Sequence, residues 1–583
     1  VAVMGTALHR PTGELAVPER VARLEELLGD PTEPANPVGY TRLLEADRRA
    51  ELCHEAEGLL DEFGMSAEYV PTALGGRLDS VDTLVRVMRP VFRRDVSTGM
   101  GYGFMSFMGA SDVWMAGTER QRARVAELLL AGGKVSIAQH ETAHSNDLVR
   151  SEIRATPAGG GFLLGGTKPM INNLARAGAV ALFCRGHEQG SRSHSVMLID
   201  PAELPGEFTV RPYPPAVGMR GCQWAGLELG AGNWVSRDRL LGPEGSGLTT
   251  ALRSFQISRT LAAALAVGAV DASLRIAVRC QYEDGSRPSG REALDPQRTA
   301  GALSGAFVDL LLFDALAMVA TRAVHLLPGQ TSLYSAAVKY LLPRVLGTTM
   351  YDLSIVLGSQ LYVREGTLGA FQKHLRDLQV ITLGHAGSVA CQATLLPQLR
   401  GLARHSWFND QEAPPELFRP GDELGPFRYQ ELDIASGHDS LAAVLVAVAS
   451  ALPGNTPLLR VFATLVRELT EELRDLRDRL LALPVPAHGT PVGPGAFALS
   501  ERYSLVLAAA AVVGVWWWHQ QDDRDPFLAS PAWAVLALRK IARALGARVP
   551  ELPAECQTRV HHEVLARFGD RRSFDLYNTP VAG

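Results

Sequence analysis

Cysteine is scarce and scattered in this sequence, with six residues in 583 (Cys53, Cys184, Cys222, Cys280, Cys391 and Cys556) and no C-x-x-C pair among them. That spacing argues against a disulfide framework and suits a reducing compartment, so cytoplasm is the expected location. Basic runs are lacking too. No stretch concentrates Lys or Arg without acids interleaved, the formal net charge is -5, and no nucleic-acid surface is expected. The first twenty residues, VAVMGTALHRPTGELAVPER, hold no basic region followed by an apolar run of about 7–15 residues, so no secretory signal is expected there. The two most apolar runs, LAAVLVAVASAL (441–452) and LVLAAAAVVGVWWW (505–518), fall short of the roughly 20 residues a bilayer-spanning helix needs. They read as buried helices, and no transmembrane segment is expected. Trp516, Trp517 and Trp518 suit core packing, an oligomer interface or an interfacial anchor alike. Internal repeats are missing, as are low-complexity tracts beyond alanine-rich helices.

What is present is a globular composition, 46% hydrophobic and 20% charged, in a chain long enough for two to four packed units. Apolar residues recur at three- and four-residue spacing from Val21 to Ala131, predicting a helical domain over 1–134. Short strand-like segments separated by Gly, Pro and Asn follow, predicting a β domain over 135–247. Helical spacing returns, predicting a bundle over 248–408. The stretch NDQEAPPELFRPGDELGPFRYQELDIAS (409–436) reads as a linker or wrapping loop into a further helical section, together 409–583. There Leu465, Leu469, Leu473, Leu476 and Leu480 share one stripe, which predicts a core-facing amphipathic helix.

The octapeptide HETAHSND (140–147) matches H-E-x-x-H, in which two histidines one helical turn apart bind zinc. That chemistry needs a helix, so that His140 and His144 share a face. Here the motif follows the strand-like KVSIAQ and precedes the strand-like EIRATP, with no evident third ligand. No metal site is expected.

From about residue 58 to 400 the sequence resembles the acyl-CoA dehydrogenase and acyl-CoA oxidase superfamily. GLLDEFGMSAEYVPTALGG is similar to the family's early helix and its V-P-x-x-x-G-G segment, and GTERQRARVAELLLAGGKVSIAQ to the helix that leads into its first strand. Ala138 to Asp147 looks like the flavin loop, A-Q-T-E-x-x-H-G-S-N in oxidases. GTKPMINN (166–173), with Gly165, Gly166 and Lys168, resembles G-x-K-x-W-I-T-N. VGMRGCQWAGLELGAGNWVSRDRLLGPEGSGL resembles the L-G-x-R-G-S to G-x-x-G-x-G region, and GSQLYVRE and HLRDLQVITLGHAGS resemble G-G-x-G-Y-x-x-E and R-D-x-x-x-x-x-x-Y-E-G-T. The resemblance implies a mainly α fold with a central β domain: helical N-domain, β-barrel-like middle and helical bundle. The section beyond Leu399 implies an additional C-terminal helical domain, as in oxidase-like or very-long-chain dehydrogenase-like members.

The resemblance also implies FAD, an acyl-CoA or acyl-carrier-protein thioester as partner, and a homodimer. Its flavin contacts fall on Gln139, His140, Ser145, Asn146, Met170, Asn172 and Gly387. Several depart from the family pattern. His140 replaces a flavin-binding threonine, and Asn146 a serine of the dehydrogenases. Met170 replaces an aromatic, Asn172 a threonine near the flavin N5, Ile355 a glutamine from a neighbouring subunit and Gly387 a threonine. Asn172 and Asn173 still offer hydrogen bonds. The R-R-Q-F-G turn has no clean equivalent in RCQYEDGSRPSG. Of the family's two positions for the catalytic glutamate, one holds His385 and the other Ser258, just before Arg259. His385 and His140 are therefore the expected acid–base residues, since an unperturbed imidazole titrates near pH ~6.5. The expected function is an acyl-thioester dehydrogenase- or oxidase-like flavoenzyme lacking the usual glutamate. The alternatives are a flavin monooxygenase of the same fold, or a non-redox descendant using the pocket for acid–base work or as a scaffold. The excess of Arg over Lys suggests bacterial secondary metabolism.

Overall fold

The computed structural model describes residues 15–141, 143–144, 147–186, 190, 192–282, 296–384, 387–425, 427–452, 454–484, 493–520 and 525–583. The first seven helices are α1 Val17–Leu28, α2 Tyr40–Arg49, α3 His54–Phe63, α4 Val81–Arg94, the single turn α5 Val96–Thr98, α6 Met105–Ala116 and α7 Glu119–Leu130. Local chemistry sets their ends. Ser80 caps α4 by accepting from the Thr83 N–H at 3.0 Å. Thr118 and Gln121 cap α7 reciprocally, each side chain accepting from the other's N–H at 3.3 and 2.8 Å. Gly132, at φ +81°, turns the chain out of α7. A π-helical turn, Gly99–Phe104, leads into α6. A Cβ on its Gly103 would lie 1.8 Å from the Tyr69 hydroxyl, so only glycine fits there.

The middle sheet comprises β1 Lys134–Ala138, β2 Arg154–Ala158, β3 Gly161–Asn172, β4 Ala177–Arg185, β5 His194–Ile199, β6 Phe208–Pro212 and β7 Trp224–Ser236. Its order is β1-β4-β2-β3-β7-β6, with β5 also on β4. β4 pairs in parallel with β1 and β2, and the other neighbours are antiparallel. Phe162, Leu164, Val180, Leu182 and Leu227 form its own core. The β3–β7 register breaks between Lys168 and Ile171, so Pro169 and Met170 sit on a bulge.

The bundle is α8 Gly247–Tyr282, α9 Pro296–Leu326, α10 Thr331–Leu342, α11 Thr348–Leu357, α12 Gly366–Leu383 and α13 Ser388–His405. The last section is α14 Ser440–Ala451, α15 Pro457–Ala482, α16 Pro494–His519, the short α17 Pro526–Ala529, α18 Pro531–Ala544 and α19 Ala554–Gly569. The segment 409–436 wraps α9: Arg322 donates to the carbonyls of Glu416 and Asp422 at 2.6 and 2.9 Å. Leu465, Leu469, Leu473, Leu476 and Leu480 of α15 are all buried, each contributing roughly 1.5–3 kcal/mol.

α8, α9 and α16 are long and apolar enough, by length and composition, to cross a membrane. In this fold 100%, 83% and 67% of their most apolar stretches are buried inside the protein. Trp516 is buried against Phe462, ring centroids 4.1 Å apart, and the Arg419 guanidinium lies 5.3 Å over half-buried Trp518.

Residues 573–583 run back over the first helices and close a buried ion network. Arg89 of α4 pairs with Asp314 of α9 at 3.0 Å and with Asp575 at 3.1 Å. Arg93, one turn on, pairs with Asp271 of α8 at 3.0 Å and with Glu25 of α1 at 2.5 Å. The main chain of the same segment donates to these acids, Leu576 N–H to Asp314 at 2.9 Å and Ala582 N–H to Glu25 at 3.0 Å. Arg89→Met leaves two buried carboxylates facing each other and should cost about 3–5 kcal/mol, read as a lowered urea midpoint. Arg23→Met, which removes only the exposed Arg23–Glu26 pair, should stay within about 0.5 kcal/mol.

Candidate functional site

Where the sheet meets the helices lies a cavity of about 550 Å³. Met100 and Phe104, from the π-helical turn before α6, line it on one side, and Gln139, His140 and Glu141 follow β1 into it. Met170 and Trp224 present the sheet, and the bulge at Pro169–Met170 turns Met170 inward. Ala262 of α8, Lys339 of α10 and Val380, Ile381 and Leu383 of α12 complete the wall on the bundle side. The connection 213–219 covers the remaining face.

That connection is held by the Arg376–Asp377 pair of α12. Asp377 is fully buried and accepts from the Met219 N–H at 2.7 Å, from Lys373 at 2.7 Å and from Ser97 at 3.2 Å. Burial pushes its pKa up, but the Lys373 and Arg376 cations outweigh that and hold it below the usual carboxylate range. A Cβ on Gly218 would come 3.0 Å from both the Asp377 carboxylate and the Val380 side chain, so the glycine lets the covering loop close on α12.

The described residues of the octapeptide, 140, 141, 143, 144 and 147, are not helical. Glu141 is buried and belongs to the sheet domain: its carboxylate accepts from Lys168 Nζ and the Ser151 hydroxyl at 2.8 Å each, and from the Glu152 N–H at 2.9 Å. Burial pushes this carboxyl up, but the Lys168 ammonium and these hydrogen bonds outweigh it and keep the pKa below the ordinary glutamate value. His140 lines the cavity with its ring stacked on Phe255 of α8, centroids 5.7 Å apart and planes 3° apart. His144 instead contacts Glu152, 2.7 Å away. Ligand atoms of Glu141, His144 and Glu152 lie within 4.8 Å of one another. The Glu141 oxygens in that group are already engaged by Lys168, Ser151 and Glu152, and His140 is not part of it.

The remaining expected residues divide. Gln139 is buried beside the cavity, and its Nε2 donates to Asp112 at 3.2 Å. Asp112 is fully buried on α6, and that burial, against hydrogen bonds from Ser254 and Gln139, pushes its carboxyl up to about 7. Asn172 pairs across the sheet with Trp224, so it faces the cavity side. Its main-chain carbonyl accepts from Ser136 at 2.6 Å, while neither its side-chain Nδ2 nor its Oδ1 has a partner among the described residues. Asn173 is committed to structure, donating to the Gly101 carbonyl at 2.6 Å and accepting from Arg176. Gly387 caps the start of α13. Ile355 stands exposed on α11. His385, Ser145 and Asn146 lie outside the described residues, as does most of RCQYEDGSRPSG.

Sequence reasoning missed Asp112, the Met100–Phe104 wall and Lys339. Lys339 left a signal: it is the single charge within TSLYSAAVKYLL, the apolar sequence of α10.

No family model matches the chain. A stretch of 237 residues, 40% of this chain, is 27% identical to a probable acyl-CoA dehydrogenase of Mycobacterium tuberculosis. The match covers 60% of that relative's length. Among solved structures, an acyl-CoA dehydrogenase of Bacillus anthracis, crystallised as a complex with FAD, aligns over 96% of both chains with a TM-score of 0.66 at 14% identity. The prolyl acyl carrier protein oxidase AnaB aligns over 65% of this chain and 97% of its own, with a TM-score of 0.54 at 19% identity. These structural likenesses establish the fold.

The loop geometry makes a stability prediction. Glu141→Gln leaves the buried Lys168 ammonium without its counter-charge and should cost about 3 kcal/mol near neutral pH. Because the folded-state pKa of Glu141 is lowered, its contribution is present above the ordinary glutamate pKa of about 4.3 and is lost as pH falls through the lower folded value. Urea midpoints across that range should therefore converge for wild type and variant as pH falls.

Proposed function

The chain has the fold of the acyl-CoA dehydrogenases, and on that premise we propose that it belongs to their superfamily and is a flavin-dependent oxidoreductase acting on an acyl thioester carried by coenzyme A or an acyl carrier protein. The observation that carries this reading is the Asn172 side chain. It is 1% exposed, lies on the cavity side of the sheet, and has no partner among the described residues at either polar atom. A buried amide without partners costs about 1–3 kcal/mol, and a ligand with both donors and acceptors along one edge removes that cost. The Gln139 Oε1, also buried and without a partner, extends the same edge.

The residues present fit FAD. Gln139, His140, Met170 and Asn172 would hold the ring, with Ser145, Asn146 and Gly387 as further contacts expected from the family pattern. Bound there, the flavin supplies the two-electron acceptor that thioester oxidation needs. The chain's own part is to bind and orient. Met100, Phe104 and Trp224 exclude water from the acyl group, and Glu141, held by Lys168, keeps the loop after β1 in place. Neither family position for the base offers a carboxylate, since Ser258 and His385 occupy them.

A homodimer fits the exposed side chains of Tyr351 and Ile355, one turn apart on α11, and Tyr362, which is 84% exposed. A cytoplasmic setting fits the six buried free thiols. Light scattering should give a dimer mass for the wild type and a monomer mass for Ile355→Asp.

The flavin reading predicts that the purified protein takes up FAD and that the bound flavin bleaches anaerobically with an acyl thioester. Asn172→Ala should weaken FAD binding by about tenfold, equivalent to one lost hydrogen bond of about 1.4 kcal/mol. A protein that stays colourless with added FAD would count against it. Bleaching only by a nicotinamide-linked partner would favour the flavin monooxygenase reading.

A further inference from the structure

We infer that Lys339 is the proton-transferring group of the cavity, taking the α-proton of a bound acyl thioester in place of a carboxylate. The inference rests on the acyl-thioester reading above.

Four ionisable side chains line the cavity among the described residues: His140, Glu141, Tyr213 and Lys339. Tyr213 sits on the covering connection with its ring tilted against Trp224, centroids 6.5 Å apart. Glu141 is spent on Lys168, Ser151 and Glu152, and its lowered pKa makes it a poor proton acceptor. His140 lies flat against Phe255. Lys339 enters from α10 among Ala262, Val380, Ile381 and Leu383, and its Nζ donates to the Ile381 carbonyl in the last turn of α12. It is 2% exposed and has no carboxylate partner among the described residues.

The surroundings set its titration. Burial lowers the Lys339 pKa to about 8; Cys391 of α13 opposes the shift slightly, and Arg259 of α8 adds to it. Other charges on helices packed around it are engaged elsewhere: Asp314 with Arg89, Asp309 with Lys540, Glu501 with Arg344 and Asp377 with Lys373. His374 of α12 is buried, with its pKa lowered to about 4. An amine of this kind holds a usable neutral fraction near pH 7 to 8.

The step balances on the thioester and the lysine alone. The Cα–H bond breaks, its electron pair passes into an enolate with charge on the carbonyl oxygen, and the proton forms the third N–H bond of an ammonium on Nζ. The reverse step returns a solvent-derived hydron to Cα. The new ammonium stays beside the enolate it has created, where a fixed positive charge is most useful.

Solvent exchange tests this without flavin turnover. Butyryl-pantetheine in D2O should lose its α-protons in the presence of the protein, followed by NMR, with a rate rising about 50-fold from pH 6 to 8 as the amine with pKa about 8 becomes neutral. Lys339→Met should slow exchange by 100-fold or more. Lys339→Arg, which keeps a cation able to donate to Ile381, should slow it as much and remove the pH dependence; it also serves as the test if the Met variant fails to fold. His385→Ala tests the other candidate base and should leave the roughly 50-fold rise from pH 6 to 8 in place, because that rise belongs to the Lys339 amine. Wild-type rates in Lys339→Arg would make the lysine a helix-end contact only, and loss of exchange in His385→Ala with full rates in Lys339→Arg would move the base to His385. Either result overturns the inference, as does absence of exchange in the wild type. FAD uptake, measured on the same preparations, judges the flavin reading independently.

Discussion

The structure depends on two arginines buried one helical turn apart on α4. Arg89 and Arg93 between them engage Glu25, Asp271, Asp314 and Asp575, drawn from α1, α8, α9 and the segment after α19. Taking so many charges out of water is costly, and such a cluster persists only where every member finds several partners. Here main-chain N–H groups of Phe574, Leu576 and Ala582 supply the remaining bonds at 3.3, 2.9 and 3.0 Å. Elements hundreds of residues apart in sequence must therefore be in place together. A partial assembly would leave carboxylates buried beside one another, which makes the arrangement specific rather than merely stable.

The constraint reaches the cavity through α8. Gly268 lets that helix pack closely on α4, since a Cβ there would lie 3.0 Å from the Arg89 carbonyl. Two turns earlier along the same helix come Ala262, which lines the cavity, then Arg259, then Phe255 under the His140 ring. The spacing 255, 259, 262 is one helical face. A second anchor, Asp377, ties α12 to the loop 213–219 and to Ser97 beyond α4. Bundle, sheet and first helices thus meet at one cavity whose walls have no freedom to slide independently.

Much of this was legible beforehand because it is local. The reciprocal cap of α7, the glycine after it, the leucine stripe of α15 and the strand character of 134–236 each follow from short-range rules. The strands on either side of the H-E-x-x-H pattern are local and legible; the Lys168–Glu141 pair, formed between residues 27 apart, is not. What could not be read was depth. Asp112 looks like any helical acid until α6, β1 and α8 close around it, and Asp575 looks like an ordinary turn residue. Lys339 sits in a sequence that announces only a buried helix; that its amine reaches a cavity depends on where α12 ends. The family pattern located the loop after β1 and the strand holding Met170 and Asn172, but it directed attention to the positions where a glutamate was missing rather than to the amine that remains.

The charges around the cavity have an electrostatic consequence of their own. On the bundle side of the cavity Arg259 and Lys339 are both buried, and neither is paired with a carboxylate among the described residues. Arg259 has the Thr394 hydroxyl at 3.1 Å and the Phe255 ring at 5.6 Å, and Lys339 has a main-chain carbonyl. Neutral partners satisfy hydrogen bonds but leave the positive potential in place. A site of that sign favours a substrate that enters neutral and becomes anionic as it reacts, because the stabilisation grows along the reaction instead of being present at the start. A carboxylate base becomes neutral as it takes the proton, whereas an amine base becomes cationic and ends as the counter-ion of its own product. The charges retained around this cavity favour chemistry that builds negative charge on the substrate.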